Sequence, residues 1–419
     1  MFPTPPAVAL DLATSIPQIG PLDVPSTSKS AVEVDARAVR DWDAIGYRWD
    51  SAFRQDPNAG PYVSTAWVQT WIEVFGRSLR PQLLSFRLPG GDPVGACLLT
   101  RRPRYGAILP LIRLHINTDG EADGDSVVIQ HNSIIAAPDV ADHVHIAFAR
   151  YVKSQRIDEL RAAGFEEGGV TRLLAAFPSW RYDVEWRDSP YVDLARLRDS
   201  GGDHLRAVSR NTREQIRRSL TRYRERGEVS VTAAQTPDEA QAMFEEMLVL
   251  HDARWHAVGK GGGFASPLRR QFHRAFVRRG VAEGHAQLLR VAAGDRVIGV
   301  LYNLVANGKV NFYQSGLQYE DDKHLKPGLV AHHLAIEHCL ALGFCEYDFL
   351  MSKPGEGRYK ESLSNASRQL GWVTLYRGGW RQRYFAFARA MRLRAASWRD
   401  SSAAEPENGE QAPLAASGS

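Results

Sequence analysis

The sequence is poor in cysteine, with Cys97, Cys339 and Cys345 the only three among 419 residues and no CxxC pair. So odd and scattered a set argues against a disulfide framework and a cysteine-based zinc site. A reducing cytoplasm is the expected compartment. No apolar run approaches the roughly 18–20 residues needed to cross a bilayer, so no membrane span is expected. A GxGxxG fingerprint and an HExxH motif are both missing, which leaves nicotinamide and zincin chemistry without support. Neither sign of charge dominates: 52 basic against 48 acidic residues leave +4, too little to imply a nucleic-acid partner. DNA is not expected to bind, and neither is RNA. What is present is the balance of an ordinary globular protein, 44% hydrophobic and 24% charged. The length predicts two or three domains with cores that need no metal.

Residues 1–30 break every apolar stretch with proline, and the stretch from about Ser401 onward is Ser/Ala/Glu/Pro without period. Both read as disordered ends, at 1–30 and 400–419, rather than as targeting signals. Between them, residues 31–195 read as one mixed α/β domain. Trp67, Trp71 and Phe75 recur at helical spacing, which predicts a helix capped by Ser64, closed by Gly76 and buried along its aromatic face. Strands are expected at 81–86, 94–100 and 171–176, and a helix at 139–163.

Residues 196–390 form the second domain. A basic helix is expected over 203–227, with Arg206, Arg210, Arg213 and Arg217 along one stripe. Most of these arginines read as a solvated face. Strands at 287–291, 297–305 and 310–316 follow, the last two joined by Asn307-Gly308, a strong hairpin signal. Lys326-Pro327-Gly328 then opens a helix that ends at Gly343, and residues 345–350 return as a strand. A helical crossover makes that strand parallel to 310–316. A helix start with glycine lets an anion approach free backbone N–H groups, and His324 and Lys326 add positive charge: a reasonable pyrophosphate seat. His333 and Glu337 share a helix face, but no third ligand is evident and no metal is expected. Lys260-Gly261-Gly262-Gly263 lacks the Walker spacing and reads as a flexible loop.

These pieces together resemble the GNAT acyltransferases, and more narrowly the CelD/BcsL-type acetyltransferases related to the Fem peptidyltransferases. The resemblance rests on Tyr191-Val192-Asp193-Leu194, Ser209-Arg210-Asn211, Arg254-Trp255, Tyr313 with Ser315-Gly316, Lys326-Pro327-Gly328, Tyr347-Asp348-Phe349-Leu350 and Tyr359-Lys360. It implies an α/β fold of tandem GNAT-like lobes, mixed sheets flanked by helices, with 31–195 a degenerate lobe and 196–390 the lobe that holds the donor. It implies acetyl- or acyl-coenzyme A as donor, lying where strands 310–316 and 345–350 splay apart, with Gln314, Ser315, His324, Lys326 and Gly328 around it. It implies a small-molecule or glycan amine as acceptor, in polysaccharide or cell-envelope synthesis, met by Arg210, Asn211 and Trp255. Asp348 would be the general base or amine-orienting carboxylate, Lys360 would stabilise charge, and Tyr359 would protonate the leaving thiolate. The rival functions are a Fem-like transferase using aminoacyl-tRNA and a non-enzymatic exopolysaccharide-associated protein of the same fold.

Overall fold

A computed structural model describes residues 32–105, 109–259, 261–351, 358–384 and 387. The two ends read as disordered, together with Lys260 and residues 352–357, lie outside the described residues.

The first half opens with β1 (Glu33–Ala38), α1 (Gly46–Gln55) and α2 (Thr65–Leu79). Ser64 caps α2 by accepting the Trp67 N–H. The helix runs past Gly76 and stops at Arg80, which takes the left-handed conformation at φ 50°. Strands β2 (Gln82–Arg87), β3 (Pro93–Arg104) and β4 (Leu111–Ile116) form an antiparallel meander, with the short β5 (Ile135–Ala136) added to β3. Helix α3 (Ala141–Ser154) then crosses to β6 (Glu159–Glu166), which runs parallel to β4.

Two sequence expectations change here. Residues 159–163, placed in a helix, begin a strand, and 171–176, placed in a strand, belong to helix α4 (Glu167–Ala176). The Ala-rich β6 has little strand propensity of its own. It is a strand because it is sandwiched between two others and buried on both faces. The apolar run in α4 was too short to separate the two periods.

After β7 (Arg181–Asp193) come α5 (Leu194–Asp199), α6 (His204–Ala207) and α7 (Arg210–Arg224). The basic helix is thus two pieces, because Ser209 caps a new start at Arg210. Ile216, Leu220 and Tyr223 face inward. Then β8 (Val229–Ala233), α8 (Pro237–Ala257) and α9 (Pro267–Ala282) lead to the meander of β9 (Ala286–Ala293), β10 (Arg296–Ala306) and β11 (Lys309–Leu317). Helix α10 (Pro327–Ala341) crosses to β12 (Glu346–Asp348), parallel to β11. Short α11 (Arg358–Leu363) and β13 (Ala366–Tyr376) complete the described chain.

All strands but β5 lie in one path, β1-β2-β3-β4-β6-β13-β7-β12-β11-β10-β9-β8. Each half repeats the plan of an antiparallel meander, a crossover helix and a parallel strand. The closing strands are exchanged. β7, from the first half, pairs with β12, while β13, from the second, pairs with β6, and the two pair with each other along 366–376. A third core fills the space between the halves: Trp67 of α2 packs edge-on against Phe272 and Phe276 of α9, at centroid distances of 4.7 and 5.0 Å. The aromatic stripe is therefore core, as its spacing suggested. Among the described residues no helix is long and apolar enough to cross a membrane.

Candidate functional site

The two parallel strands of the second half are hydrogen-bonded over only three rungs, Lys309↔Glu346, Val310↔Tyr347 and Asn311↔Asp348. Beyond them β12 ends, Leu350 turns away at φ 59°, and β11 runs on to Leu317. A bulge in β11 marks the parting: Tyr302 pairs with Gln314 and Asn303 with Phe312, so Tyr313 has no partner in the ladder. The result is a cleft of about 980 Å³, within the range of small-molecule sites.

Residues from both halves line it. β11 gives Phe312, Tyr313, Gln314, Ser315 and Leu317. The start of α10 gives Lys326, Pro327, Gly328 and Leu329, and the far wall is Leu350, Met351, Tyr359 and Lys360. α8 gives His251, Arg254 and Trp255, beside Gly263, Phe264 and Arg269; Val128 and Gln130 arrive from the first half. Gly316 explains how α8 comes so near. A Cβ there would sit 2.3 Å from the Met247 carbonyl oxygen, so only glycine lets helix and strand touch at that level.

The start of α10 is open. No side chain caps it, and Pro327 has no N–H to satisfy. Val330 donates to the Lys326 carbonyl, and the N–H groups of Gly328 and Leu329 have no acceptor among the described residues. A Cβ on Gly328 would meet only Leu317 Cδ1, at 3.4 Å; the remaining space is cleft. This is a cradle for an anion, with the positive end of the helix dipole behind it.

The structure brings Gln314, Ser315, Lys326, Gly328, Trp255, Tyr359 and Lys360 together around one cleft. Lys360 Nζ donates to the Phe349 carbonyl at 2.8 Å and lies 5.7 Å from the Phe312 ring centre. The others lie elsewhere. His324 sits in the loop before α10 and does not line the cleft. Arg210 is 89% exposed, paired with Glu214, and Asn211 is exposed beside it.

Asp348 is 1% exposed and is not part of the cleft lining. One oxygen accepts from Ser189 Oγ and the Leu350 N–H, both at 2.7 Å. The other lies 3.2 Å from His131 Nε2 and 3.5 Å from Arg368 Nε. Burial pushes its pKa up, but the two cations more than offset this and hold it below the ordinary value. Burial likewise lowers His131, and the Asp348 charge overrides it, raising the imidazole to about 9. Since His131 belongs to the first half, this buried ion pair fastens the two halves beneath the cleft floor.

Sequence reasoning missed His251. It is 3% exposed and continues the buried face of α8 after Phe244, Met247 and Leu248, a spacing that could have flagged a histidine at a core position. Its Nδ1 is 3.4 Å from Asp252 Oδ1, and Asp252 is itself held by Arg270 at 2.6 Å. Its Nε2 has no partner among the described residues. Burial lowers the pKa of the ring, with Asp252 opposing, so the imidazole is neutral at pH 7. Deeper still, Tyr313 donates to the Val127 carbonyl and lies 2.9 Å from His273 Nε2, while His273 Nδ1 lies 3.1 Å from the Tyr302 hydroxyl. This buried relay fixes the bulge residue.

His204, His333 and Glu337 gather within 4.8 Å of one another. The two Nδ1 atoms are 3.1 Å apart with rings nearly parallel and centroids at 5.4 Å. That spacing fits an N–H···N hydrogen bond between the rings, and His204, distant in the sequence, is the third residue beside His333 and Glu337 that the helix-face pattern did not offer. His204 Nε2 meets the Leu363 carbonyl at 2.9 Å, so the pair is satisfied as it stands.

Residues 210–361 match the family model described as an acetyltransferase (GNAT) domain. No curated protein matches the sequence. Among solved structures, FemX is 11% identical over 80% of this chain and 96% of its own, with a TM-score of 0.54. The C-terminal domain of a putative lysylphosphatidylglycerol synthetase from Agrobacterium fabrum is 9% identical over 83% and 96%, at 0.47. A tandem GNAT protein from the clavulanic acid biosynthesis pathway is 14% identical over 81% and 98%, at 0.40. The chain is an α/β protein with a mixed sheet flanked by helices; the GNAT domain match lies in its second half, and the first half repeats the same meander, crossover helix and parallel strand.

Proposed function

We propose that this protein is an N-acyltransferase that moves an acetyl or longer acyl group from acyl-coenzyme A to a primary amine on a small-molecule or glycan precursor. The observation that carries this reading is the coincidence of two features in one cleft. The parallel strands β11 and β12 part at a bulge, and the open start of α10 stands beside them. The parted strands leave backbone groups free to bond an extended arm, and the Gly328 and Leu329 N–H groups with Lys326 suit a diphosphate.

The donor supplies an activated thioester, and no covalent enzyme intermediate is needed. The protein's part is positioning and charge stabilisation. The thioester oxygen would be held by backbone N–H at the bulge, where Tyr313 has no partner in the ladder. Trp255 and Phe264 wall the acceptor side and keep water out. His251 is the neutral group in the wall able to accept the amine's proton, directly or through one water. Tyr359, whose phenol is protonated at neutral pH, can donate to the departing sulfur. Lys360 offsets negative charge near the Phe349 carbonyl.

Isothermal titration with acetyl-coenzyme A tests the reading. Binding in the micromolar range, with thiol release on addition of primary amines, is the expected result. Absence of heat at millimolar acetyl-coenzyme A would remove it.

A further inference from the structure

Three residues around the cleft floor take positive φ although none is glycine: Val128 at 52°, His131 at 45° and Leu350 at 59°. For a β-branched side chain such a conformation is costly. Leu350 and His131 bury their side chains there, and His131 gains the Asp348 ion pair. Val128 gains nothing of the kind within the chain. It is 41% exposed and lines the cleft.

The backbone around Val128 is clamped by the second half at successive points. Arg269 donates to the Gly124 carbonyl at 3.0 Å and Ser266 to the Asp125 carboxylate at 2.5 Å. Tyr313 donates to the Val127 carbonyl at 2.9 Å, and the Met351 N–H donates to Gln130 Oε1 at 2.9 Å. The Val128 N–H itself reaches Ser126 Oγ at 3.2 Å. These bonds hold the segment in place and offset its strain. Glycine or asparagine would satisfy the same backbone at lower cost, so what valine adds is an apolar contact offered to whatever occupies the cleft beside Tyr313.

We propose that Val128 is the acceptor-selecting residue: the first half, far from being a bystander, supplies the wall against which the acceptor amine's carbon skeleton is fitted. This rests on the acyltransfer reading above. A hydrophobic pocket discriminates between substrates that differ by one methylene by about 10- to 200-fold, and Val128 supplies part of such a wall. On the acyltransfer reading the donor is held by α10 and β11, and Val128 belongs to neither.

The test uses the full chain and two variants, Val128→Gly and Val128→Asn, both compatible with the backbone. Acetyl-coenzyme A affinity is measured by titration. Thiol release is followed with acetyl-coenzyme A and a graded panel of amines: glucosamine, lysine, n-butylamine and benzylamine. The expected result is acetyl-coenzyme A affinity within twofold of wild type, an unfolding temperature unchanged or raised, and a shift of tenfold or more in the relative kcat/KM among the amines. An unaltered ranking with the donor still bound overturns this proposal and leaves the acyltransfer reading standing. A wild-type protein that binds the donor but acetylates no amine in the panel also overturns it. Failure of wild type to bind acetyl-coenzyme A removes the acyltransfer reading, and this proposal with it.

Discussion

Replacing Asp348 by asparagine separates a structural carboxylate from a chemical one. The native carboxylate is buried and flanked by His131 and Arg368. Asparagine keeps the volume but takes one counter-ion from His131 and half-buried Arg368; Glu166 remains beside both and Glu346 beside Arg368, so the loss should be about 1–3 kcal/mol rather than that of a fully stranded buried charge. A second signature comes from pH. His131 is raised to about 9 in the folded protein from an ordinary 6.5. At about 1.4 kcal/mol per pH unit, that difference is worth about 3 kcal/mol. Because the folded value is the higher one, this stability is fully present below pH 6.5 and is lost as pH rises through about 9. Urea denaturation of wild type and Asp348→Asn at pH 6 and pH 9.5 reads both effects. The variant should be the less stable at pH 6, and the wild type's excess loss of stability between the two pH values should shrink in it, with Glu166 keeping the remainder. An Asp348→Asn protein as stable as wild type but inactive in thiol release would refute the argument and return Asp348 to the chemistry.

Three further outcomes follow from the same geometry. Tyr313→Phe removes the donor to the Val127 carbonyl and a partner of His273, stranding buried polar groups at about 1–3 kcal/mol; chemical denaturation reads the loss. Residues 196–384 expressed alone lack β7 and with it the antiparallel partner of β12, so circular dichroism and a two-dimensional amide spectrum should show no cooperative fold until residues 32–195 are co-expressed. His251→Gln should lower amine acetylation by about 10²–10⁴-fold. Since burial lowers the pKa of this imidazole, the wild-type rate should hold at pH 7 and fall only in acid, below about 6.5. A flat wild-type pH profile would contradict that role.

The second half was legible because its signals are local. Asn307-Gly308 marks the hairpin between β10 and β11, Pro327-Gly328 marks the start of α10, and the return at Tyr347 follows from the crossover rule. The stripe of Trp67, Trp71 and Phe75 announced its own burial. What the sequence hid is non-local. Nothing in 159–166 reveals that β6 lies between two strands, one of them some two hundred residues later in the chain. The exchange of β7 and β13 leaves no period to read. The family resemblance gives Asp348 a chemical role; that His131 and Arg368 converge on it depends on both halves meeting. His251 and Val128 reach the cleft for the same reason, through the packing of α8 on Gly316 and of the first half on Tyr313.

The central claim, that the open start of α10 seats the donor's diphosphate, is tested most directly by the acetyl-coenzyme A affinity of Gly328→Val. The new side chain meets only Leu317 Cδ1 within the protein, and valine in a helix's first turn costs well under 1 kcal/mol, so the fold should survive. Loss of one or two charge-assisted N–H bonds, at about 1.5–3 kcal/mol each, predicts an affinity at least tenfold weaker. A folded Gly328→Val protein that binds acetyl-coenzyme A as tightly as wild type would contradict the account.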